Sequence, residues 1–391
     1  MKTYEHIIIG AGIAGCSLAY FLNKSSKNTL LIDKNSDVAF GASGVAGAFL
    51  SPLLGKDNEF KNLVTKALKF SIDFYKQEFS EYLENCGTLR IPKNRLDDEK
   101  FQEYIEFMDF EFYEKNNGYF FPIGSSVKPY EICKKLTKDI EKLLSYEVKT
   151  LEKTEDFWLI NSEIKAKNIF LTTGANIKLI DEPYFDLRAV WGQKIDILSS
   201  TRTTHHYHKE CSVSKAENTS ENNIYKISIG ATHNRFLESI KDDTSYNLDL
   251  KDINNKIHNE KTSKIIKTDN EKLLKKANDI IKLEDVKIID IKIGARASSV
   301  DYFPMIGLLV DSAKSIEKHP HIVNGSFIKD ENLIMIENLY TLNGLGGRGF
   351  VLAPYLAKIL SDFVLNNTKI DTNLTNHRLF KRWVKRLRNK N

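Results

Sequence analysis

The sequence contains little cysteine. Only four of its 391 residues are cysteine (Cys16, Cys86, Cys133 and Cys211), and no two of them form a C-x-x-C pair. A disulfide framework or a zinc site needs closer spacing, so the pattern favours reduced thiols in the cytoplasm. The segment HHYHKEC (205–211) has three histidines and a cysteine but no second ligand pair. We expect this segment to form a polar hairpin, and we expect no metal.

Long apolar runs are also missing. No stretch approaches the roughly 20 consecutive apolar residues that a membrane helix needs. The N-terminal run HIII (6–9) leads directly into glycines and lacks a small-residue cleavage site. It therefore predicts a buried strand, neither a signal peptide nor a membrane anchor.

Acidic residues are absent from the last fifteen positions, which contain seven Arg or Lys. The formal net charge is +5, so the remainder of the chain carries +5 − 7 = −2. One interpretation is a helix that docks through Phe380, Trp383 and Leu387 and leaves its charges solvated. The other is contact with a phosphate backbone, for which single-sign clusters are typical. The candidate nucleic-acid-binding residues are Arg378, Lys381, Arg382, Lys385, Arg386 and Arg388.

A dinucleotide fingerprint opens the chain. The segment GAGIAG (10–15) fits G-x-G-x-x-G between a predicted strand and a predicted helix. The helix N-terminus would direct N–H groups at a pyrophosphate. Asp33, at the end of the second predicted strand, would accept hydrogen bonds from a ribose. These features together predict a Rossmann-type domain.

A second glycine-rich turn, GLGGRG (344–349), precedes the last long predicted helix and favours FAD over NAD. Reduced flavin carries negative charge, which a helix N-terminus would stabilise. No cysteine or histidine is placed for a covalent link, so we predict non-covalent FAD. The predicted cofactor-binding residues are Gly10, Gly12, Ile13, Ala14, Gly15, Asp33, Lys34, Gly41, Ala42, Ser43, Gly44, Gly47, Val148, Thr173, Gly174, Gly344, Gly346, Gly347, Arg348, Gly349 and Phe350.

The predicted strands and helices alternate between two kinds of pattern along the chain. Buried parallel strands and helices, including helical spacing over 62–84 and 129–144, belong to the α/β Rossmann-type domain. Alternating strands predict an interleaved antiparallel-sheet substrate domain. We assign residues 1–85, 127–188 and 292–391 to the FAD-binding domain, with a basic tail over 377–391. Residues 86–126 and 189–291 are assigned to the substrate domain.

Several segments carry a family resemblance. They include GASGVAGAFLSPLLG (41–55), RAVWGQKIDI (188–197), GARASSVDYFPMIGLLVD (294–311) and LYTLNGLGGRGFVLAP (339–354). The chain resembles the D-amino acid oxidase (DAO) superfamily, whose architecture is related to that of glutathione reductase. Within it, the chain is similar to the FAD-dependent domains of the MnmC-like tRNA 5-methylaminomethyl-2-thiouridine biosynthesis proteins.

The resemblance implies oxidation of 5-carboxymethylaminomethyluridine at the tRNA wobble position, which gives 5-aminomethyluridine. tRNA is therefore the expected partner, together with a separate methyltransferase, because the fingerprint begins at Ile7 with no methyltransferase sequence ahead of it. Arg296, in the G-x-R segment, is the expected carboxylate anchor, because arginine offers a bidentate charged fork. Arg348, Tyr302 and Gln193 are further candidates for contacts in the active site. Two alternatives remain: an oxidase or dehydrogenase of a free amine such as glycine, sarcosine or a D-amino acid, and a non-catalytic flavin-binding scaffold.

Overall fold

The apolar N-terminal run forms the middle of a parallel sheet in the computed structural model, which describes residues 2–26, 28–175, 179–234, 245–248 and 260–387. Ile7 and Ile8 point to opposite faces of their strand and are both wholly buried, as in a sheet covered on both sides. The parallel strands, in spatial order, are β9 (Glu141–Leu143), β2 (Thr29–Ile32), β1 (Thr3–Ile9), β12 (Ile164–Leu171) and β21 (Met335–Asn343). Antiparallel partners extend it: β10 (Leu151–Lys153), β11 (Trp158–Ile160) and β20 (Met305–Val310).

Apolar helices pack together beside this sheet. They are α1 (Ile13–Asn23), α2 (Glu59–Glu78), α4 (Pro129–Leu136) and α7 (Gly349–Asn366). Helix α7 contacts both α1 and α2, and α1 also contacts α4. Asn58 caps α2 by accepting the Lys61 N–H at 3.0 Å, so this helix begins before the predicted residue 62.

The helical stretch Gly346–Asn366 is long and apolar enough to cross a membrane by length and composition, a feature that the sequence prediction missed. Half of it is buried inside the protein, where it packs against α1 and α2. Its apolar character is therefore explained by its place in the core.

A second, mostly antiparallel sheet lies across the cavity described below. Its strands, in spatial order, are β18 (Ser245–Leu248), β19 (Lys287–Ser298), β13 (Arg188–Ser199), β17 (Tyr225–Gly230), β15 (Ser212–Val213), β14 (His206–His208), β5 (Thr88–Arg90), β7 (Gly118–Phe121) and β6 (Tyr113–Lys115). The pair of β14 and β5 is parallel. β16 (Glu217–Asn218) flanks β17, and β3 (Phe49–Leu50), β8 (Ser125–Val127) and β4 (Leu83–Glu84) form a small third sheet. The remaining helices are α3 (Arg95–Tyr104), α5 (Glu260–Asn278), α6 (Ser312–Lys318) and α8 (His377–Leu387).

The predicted fold class is confirmed: a parallel sheet with helices is interleaved along the chain with a mostly antiparallel sheet. One local prediction is wrong. The helix predicted over 129–144 ends at Leu136, because Glu141–Leu143 turns into the parallel sheet as β9. The predicted hairpin at the histidines is present, because β14 pairs antiparallel with β15, but it is built into the large sheet through β5, and His206 is buried. The predicted domain limits remain a prediction, and β19 runs through the one set at residue 292.

Candidate active site

The glycine-rich turn between β1 and α1 is shaped by close backbone contacts. Gly10 has a φ of +110°, and a Cβ there would lie 2.5 Å from the Thr172 carbonyl oxygen. A Cβ at Gly15 would clash with the carbonyl oxygen of Gly10. Gly12 has an ordinary φ of −74°, so its glycine is not required by backbone conformation. It lines a cavity, where the absence of a side chain leaves the α1 N-terminus open to a ligand.

Asp33 follows β2 and holds the turn in place. One carboxylate oxygen accepts the Ala11 N–H at 2.6 Å, and the other accepts both the backbone N–H and the side-chain amide of Asn35 at 2.8 Å each. The free lone pair is therefore on the oxygen that accepts from Ala11. Asp33 lines the cavity, and its contact with a ribose remains a prediction.

The cavity, of about 1350 Å³, lies between the two large sheets. It exceeds the roughly 300–1,000 Å³ of an ordinary small-molecule site and suits a dinucleotide together with a substrate. Most of the predicted cofactor residues line it: Gly10, Gly12, Ile13, Ala14, Asp33, Lys34, Gly41, Ala42, Ser43, Gly47, Val148, Thr173, Gly174, Gly346, Gly347, Arg348, Gly349 and Phe350. Gly15, Gly44 and Gly344 do not line it. A Cβ at Gly15 or Gly44 would clash with backbone, so both glycines serve the packing of the turns.

The second glycine turn brings another helix N-terminus to the same cavity. Gly344 and Gly346 have φ values of +74° and +56°, which favour glycine. The first residues of α7, Gly349 and Phe350, line the cavity. Ser43 accepts the Ile13 N–H at 2.9 Å and so braces the other helix N-terminus. Two helix N-termini and a side-chain-free cradle at Gly12 fit FAD.

Arg296 lies on β19 with its guanidinium against the backbone of β13. A Cβ at Gly192 would clash with this guanidinium, so the glycine makes room for it. Nη1 donates to the Thr232 carbonyl oxygen at 3.2 Å, and burial lowers the pKa of Arg296. Among the described residues no carboxylate pairs with it. The result is a cavity-lining cation with no carboxylate partner in the described part of the chain.

The other predicted active-site residues differ in position. Arg348 lines the cavity and donates to the Ser51 carbonyl oxygen at 3.1 Å. Tyr302 also lines the cavity but is 58% exposed, so it lies at the rim. Gln193 does not line it. Its side chain donates to the Ile266 carbonyl oxygen at 2.9 Å and to Asn270 at 2.6 Å, and so ties β13 to α5.

Several cavity residues were not identified from the sequence, and they include the charged or titratable Arg90, Lys194 and His208. Arg90 and His208 are register partners on β5 and β14. Lys194 pairs with Asp196 at 3.2 Å. Strand alternation offered one signal, because Gly192 and Lys194 lie on the cavity face of β13 and Gln193 on the other. For Arg90 and His208 no local signal existed, because their strand pairing joins segments more than a hundred residues apart.

Helix α8 holds the predicted basic residues in two groups. Arg378 pairs with Asp301 at 2.8 Å, and Lys381 pairs with Asp330 at 2.5 Å. Phe380 is wholly buried in the core. Arg382, Lys385 and Arg386 are exposed and form no ion pair within the described part of the chain, which ends before Arg388.

No group of three or more His, Cys, Asp or Glu able to hold a metal occurs among the described residues. Burial lowers the pKa of His206 to about 3 and that of His205 to about 4. The four cysteines are free thiols. His206 and His208 lie on strand β14, and His208 lines the cavity.

Known proteins resemble this chain in sequence and in fold. The family model described as "DAO: FAD dependent oxidoreductase" matches residues 5–363. A "tRNA 5-methylaminomethyl-2-thiouridine biosynthesis bifunctional protein MnmC" of Campylobacter fetus is 24% identical over 95% of this chain and 58% of its own length. The protein of the same name from Leptospira interrogans is 24% identical over 92% of this chain and 57% of its own length. The chain therefore spans just over half the length of these relatives. Glycine oxidase from Bacillus cereus shares the fold, with a TM-score of 0.69 at 15% identity over 96% of this chain and 97% of its own.

Proposed function

Because the chain belongs to the DAO family of FAD-dependent oxidoreductases, we propose that it oxidises the CH–NH bond of an N-carboxymethyl amine on tRNA. The proposed substrate is 5-carboxymethylaminomethyluridine at the wobble position, and the products are 5-aminomethyluridine and glyoxylate. The relatives' name, which refers to tRNA biosynthesis, supports the substrate. The observation that carries the proposal is Arg296, a half-buried cation that lines the cavity and has no described carboxylate partner.

The protein's main contribution is to position the substrate. The Arg296 guanidinium would hold the carboxylate through paired hydrogen bonds and fix the neighbouring CH₂ group. Bound FAD would accept the two electrons and hydrogen removed from the CH–NH unit. Water would then divide the resulting imine into glyoxylate and the primary amine. A methyltransferase activity is needed afterwards to reach the 5-methylaminomethyl group of the relatives' name.

FAD would be held without a covalent bond, by contacts at both ends of the cavity. The α1 N-terminus and Gly12 would hold the pyrophosphate, Asp33 the ribose, and the α7 N-terminus the flavin. We propose the cytoplasm as the location and the two interleaved domains given above as the functional division. The cavity lies between them, as is common for cofactor enzymes.

The direct test is anaerobic mixing of the FAD-loaded protein with tRNA that carries 5-carboxymethylaminomethyluridine. We expect the flavin absorbance near 450 nm to bleach, with glyoxylate and 5-aminomethyluridine formed in equal amounts. The same tRNA without the modification is the control. Rapid bleaching by glycine or sarcosine, with none by the modified tRNA, would favour a free-amine oxidase. No bleaching by any of these amines would favour a scaffold.

The basic helix α8 lies beside the proposed active site. Arg378, at its start, donates to Asp301 and to the Phe303 carbonyl oxygen at 2.8 Å each. These two residues flank Tyr302, which lines the cavity. The exposed Arg382, Lys385 and Arg386 would then contact tRNA phosphates while the wobble base enters the cavity.

Changing Arg382, Lys385 and Arg386 to Ala should weaken tRNA binding and flatten its salt dependence. Each lost phosphate contact lowers the slope of log K against log salt by up to about one unit. Affinity would be measured at several salt concentrations. The matched control changes the exposed Lys66, Lys76 and Lys138 to Ala, which removes the same charge elsewhere. Equal slopes for wild type and both triple variants would place tRNA on another surface.

A further inference from the structure

Two further arginines line the cavity in addition to Arg296. Arg90 ends β5 in the antiparallel sheet, and Arg348 lies in the turn before α7. The two are linked through Ser51 and His208. Arg348 donates to the Ser51 carbonyl oxygen at 3.1 Å, the Ser51 hydroxyl lies 3.4 Å from His208 Nε2, and His208 is the register partner of Arg90. The Arg90 charge also lowers the pKa of Arg348.

Both arginines are half-buried in the cavity wall, and neither forms an ion pair with another described residue. Burial lowers the pKa of each to about 10, which leaves both cationic at neutral pH. Within the described ranges Arg90 donates no side-chain hydrogen bond, and Arg348 donates one, to the Ser51 carbonyl oxygen. Asp97 exerts an attraction on Arg90 but does not form an ion pair with it. Unpaired buried cations are costly, so such groups usually have a ligand.

The surroundings of the pair are neutral. His208 contacts the Ser51 hydroxyl with Nε2 at 3.4 Å and the Ser212 hydroxyl with Nδ1. Burial and the two arginine charges hold the pKa of His208 well below its usual range, so the ring is neutral. Two described acids line the cavity, Asp33 and Glu147. Both lie on the side of the parallel sheet and the G-x-G-x-x-G turn, away from the two arginines. No described acid that lines the cavity therefore competes with a ligand at the two arginines.

We propose that Arg90 and Arg348 form a second substrate subsite. The substrate nitrogen carries a carboxymethyl group and one other substituent, and the subsite binds an acceptor oxygen on that other substituent. This inference rests on the proposed function, in which Arg296 holds the carboxymethyl carboxylate. The acceptor is a ring carbonyl of a pyrimidine or a second carboxylate, since both present oxygen to a guanidinium fork. The subsite would select substrates with two acceptor groups over simple N-alkyl glycines, because the latter leave buried donors unpaired.

The test compares three ligands of the FAD-loaded protein under anaerobic conditions: sarcosine, iminodiacetate and the nucleoside 5-carboxymethylaminomethyluridine. Sarcosine and iminodiacetate share the N-substituted glycine and differ by the second carboxylate. Dissociation constants would be taken from perturbation of the flavin spectrum or from the rate of flavin reduction. Wild type should prefer the two-acceptor ligands by about tenfold or more, the effect of one charge-assisted hydrogen bond.

Arg90→Met should remove that preference, weakening two-acceptor ligands about tenfold or more and sarcosine by less than about twofold. Arg95→Met, at an exposed arginine on α3, is the matched control. FAD content and thermal unfolding would verify folding, with Arg90→Gln as the second variant. The subsite proposal would be overturned if Arg90→Met lowered the affinity for all ligands equally, if it lowered the affinity for none, or if wild type showed no preference for two-acceptor ligands. If Arg90→Met weakened iminodiacetate binding selectively and wild type did not bind the nucleoside, the subsite would be supported and the uridine substrate would be rejected.

Discussion

Gly12→Val is expected to give a folded but colourless protein. The turn tolerates a side chain conformationally, because Gly12 has a φ of −74°. A Cβ there would lie 3.2 Å from the Ser43 hydroxyl, and the two further valine carbons would occupy the cradle at the α1 N-terminus. The pyrophosphate would lose about two charge-assisted hydrogen bonds of roughly 1.5–3 kcal/mol each, so FAD affinity should fall by about 10²–10⁴-fold.

The measurement is the ratio of absorbance at 450 nm to that at 280 nm in purified protein, with flavin counted after acid precipitation. Wild type should release all its FAD into the supernatant, because the attachment is proposed to be non-covalent. Gly15→Val is the contrasting variant: its side chain would clash with the Gly10 backbone, so it should lower the unfolding temperature even without FAD. Flavin in the precipitated wild type, or a yellow Gly12→Val protein, would contradict the expectation.

The parts of the fold that were predicted correctly depend on local patterns. β1, the glycine turn and α1 follow one another within 21 residues, and apolar runs with glycine punctuation encode them directly. Strand β9 is different, because Glu141–Leu143 has one apolar residue in three and becomes a strand only by pairing with β2. Its position is set by a partner about a hundred residues away, which local spacing does not reveal.

The active site shows the same difference between residues that local patterns identify and residues that only distant strand pairing brings together. Many of the predicted cofactor residues lie in the two glycine-rich turns at 10–15 and 344–349, and most of the predicted set lines the cavity. Arg90 and His208 meet through the parallel pairing of β5 with β14, which no local motif encodes. Gln193 was placed in the pocket because it lies in a family segment, although alternation along β13 puts it on the opposite face from Gly192 and Lys194.

Replacing Arg296 is expected to produce the largest loss of activity with FAD still bound. Arg296→Met removes both the charge and the fork, and the lost carboxylate contacts should slow substrate reduction of the flavin by about 10²–10⁴-fold. Stability should not fall, because no described carboxylate pairs with this guanidinium and its one described hydrogen bond is to the Thr232 carbonyl oxygen. Unfolding temperature therefore separates a binding role from a structural one. Arg188→Lys, at an exposed position on β13, is the matched control for the lysine variant below.

Arg296→Lys keeps a charge but loses the bidentate geometry, so flavin reduction should slow by at least about tenfold. Its pH profile supplies an independent signature. Burial lowers the pKa of the Arg296 guanidinium. The same burial should lower the pKa of a lysine at this position below its usual value of about 10.4. A group with a lowered pKa loses its proton as pH rises, so the variant should lose carboxylate binding at alkaline pH where wild type keeps it. Stopped-flow reduction from about pH 7 to pH 10 would measure this difference, with spectral titration giving the substrate affinity. Unchanged rates in both variants would move the carboxylate to Arg348, the other predicted arginine that lines the cavity.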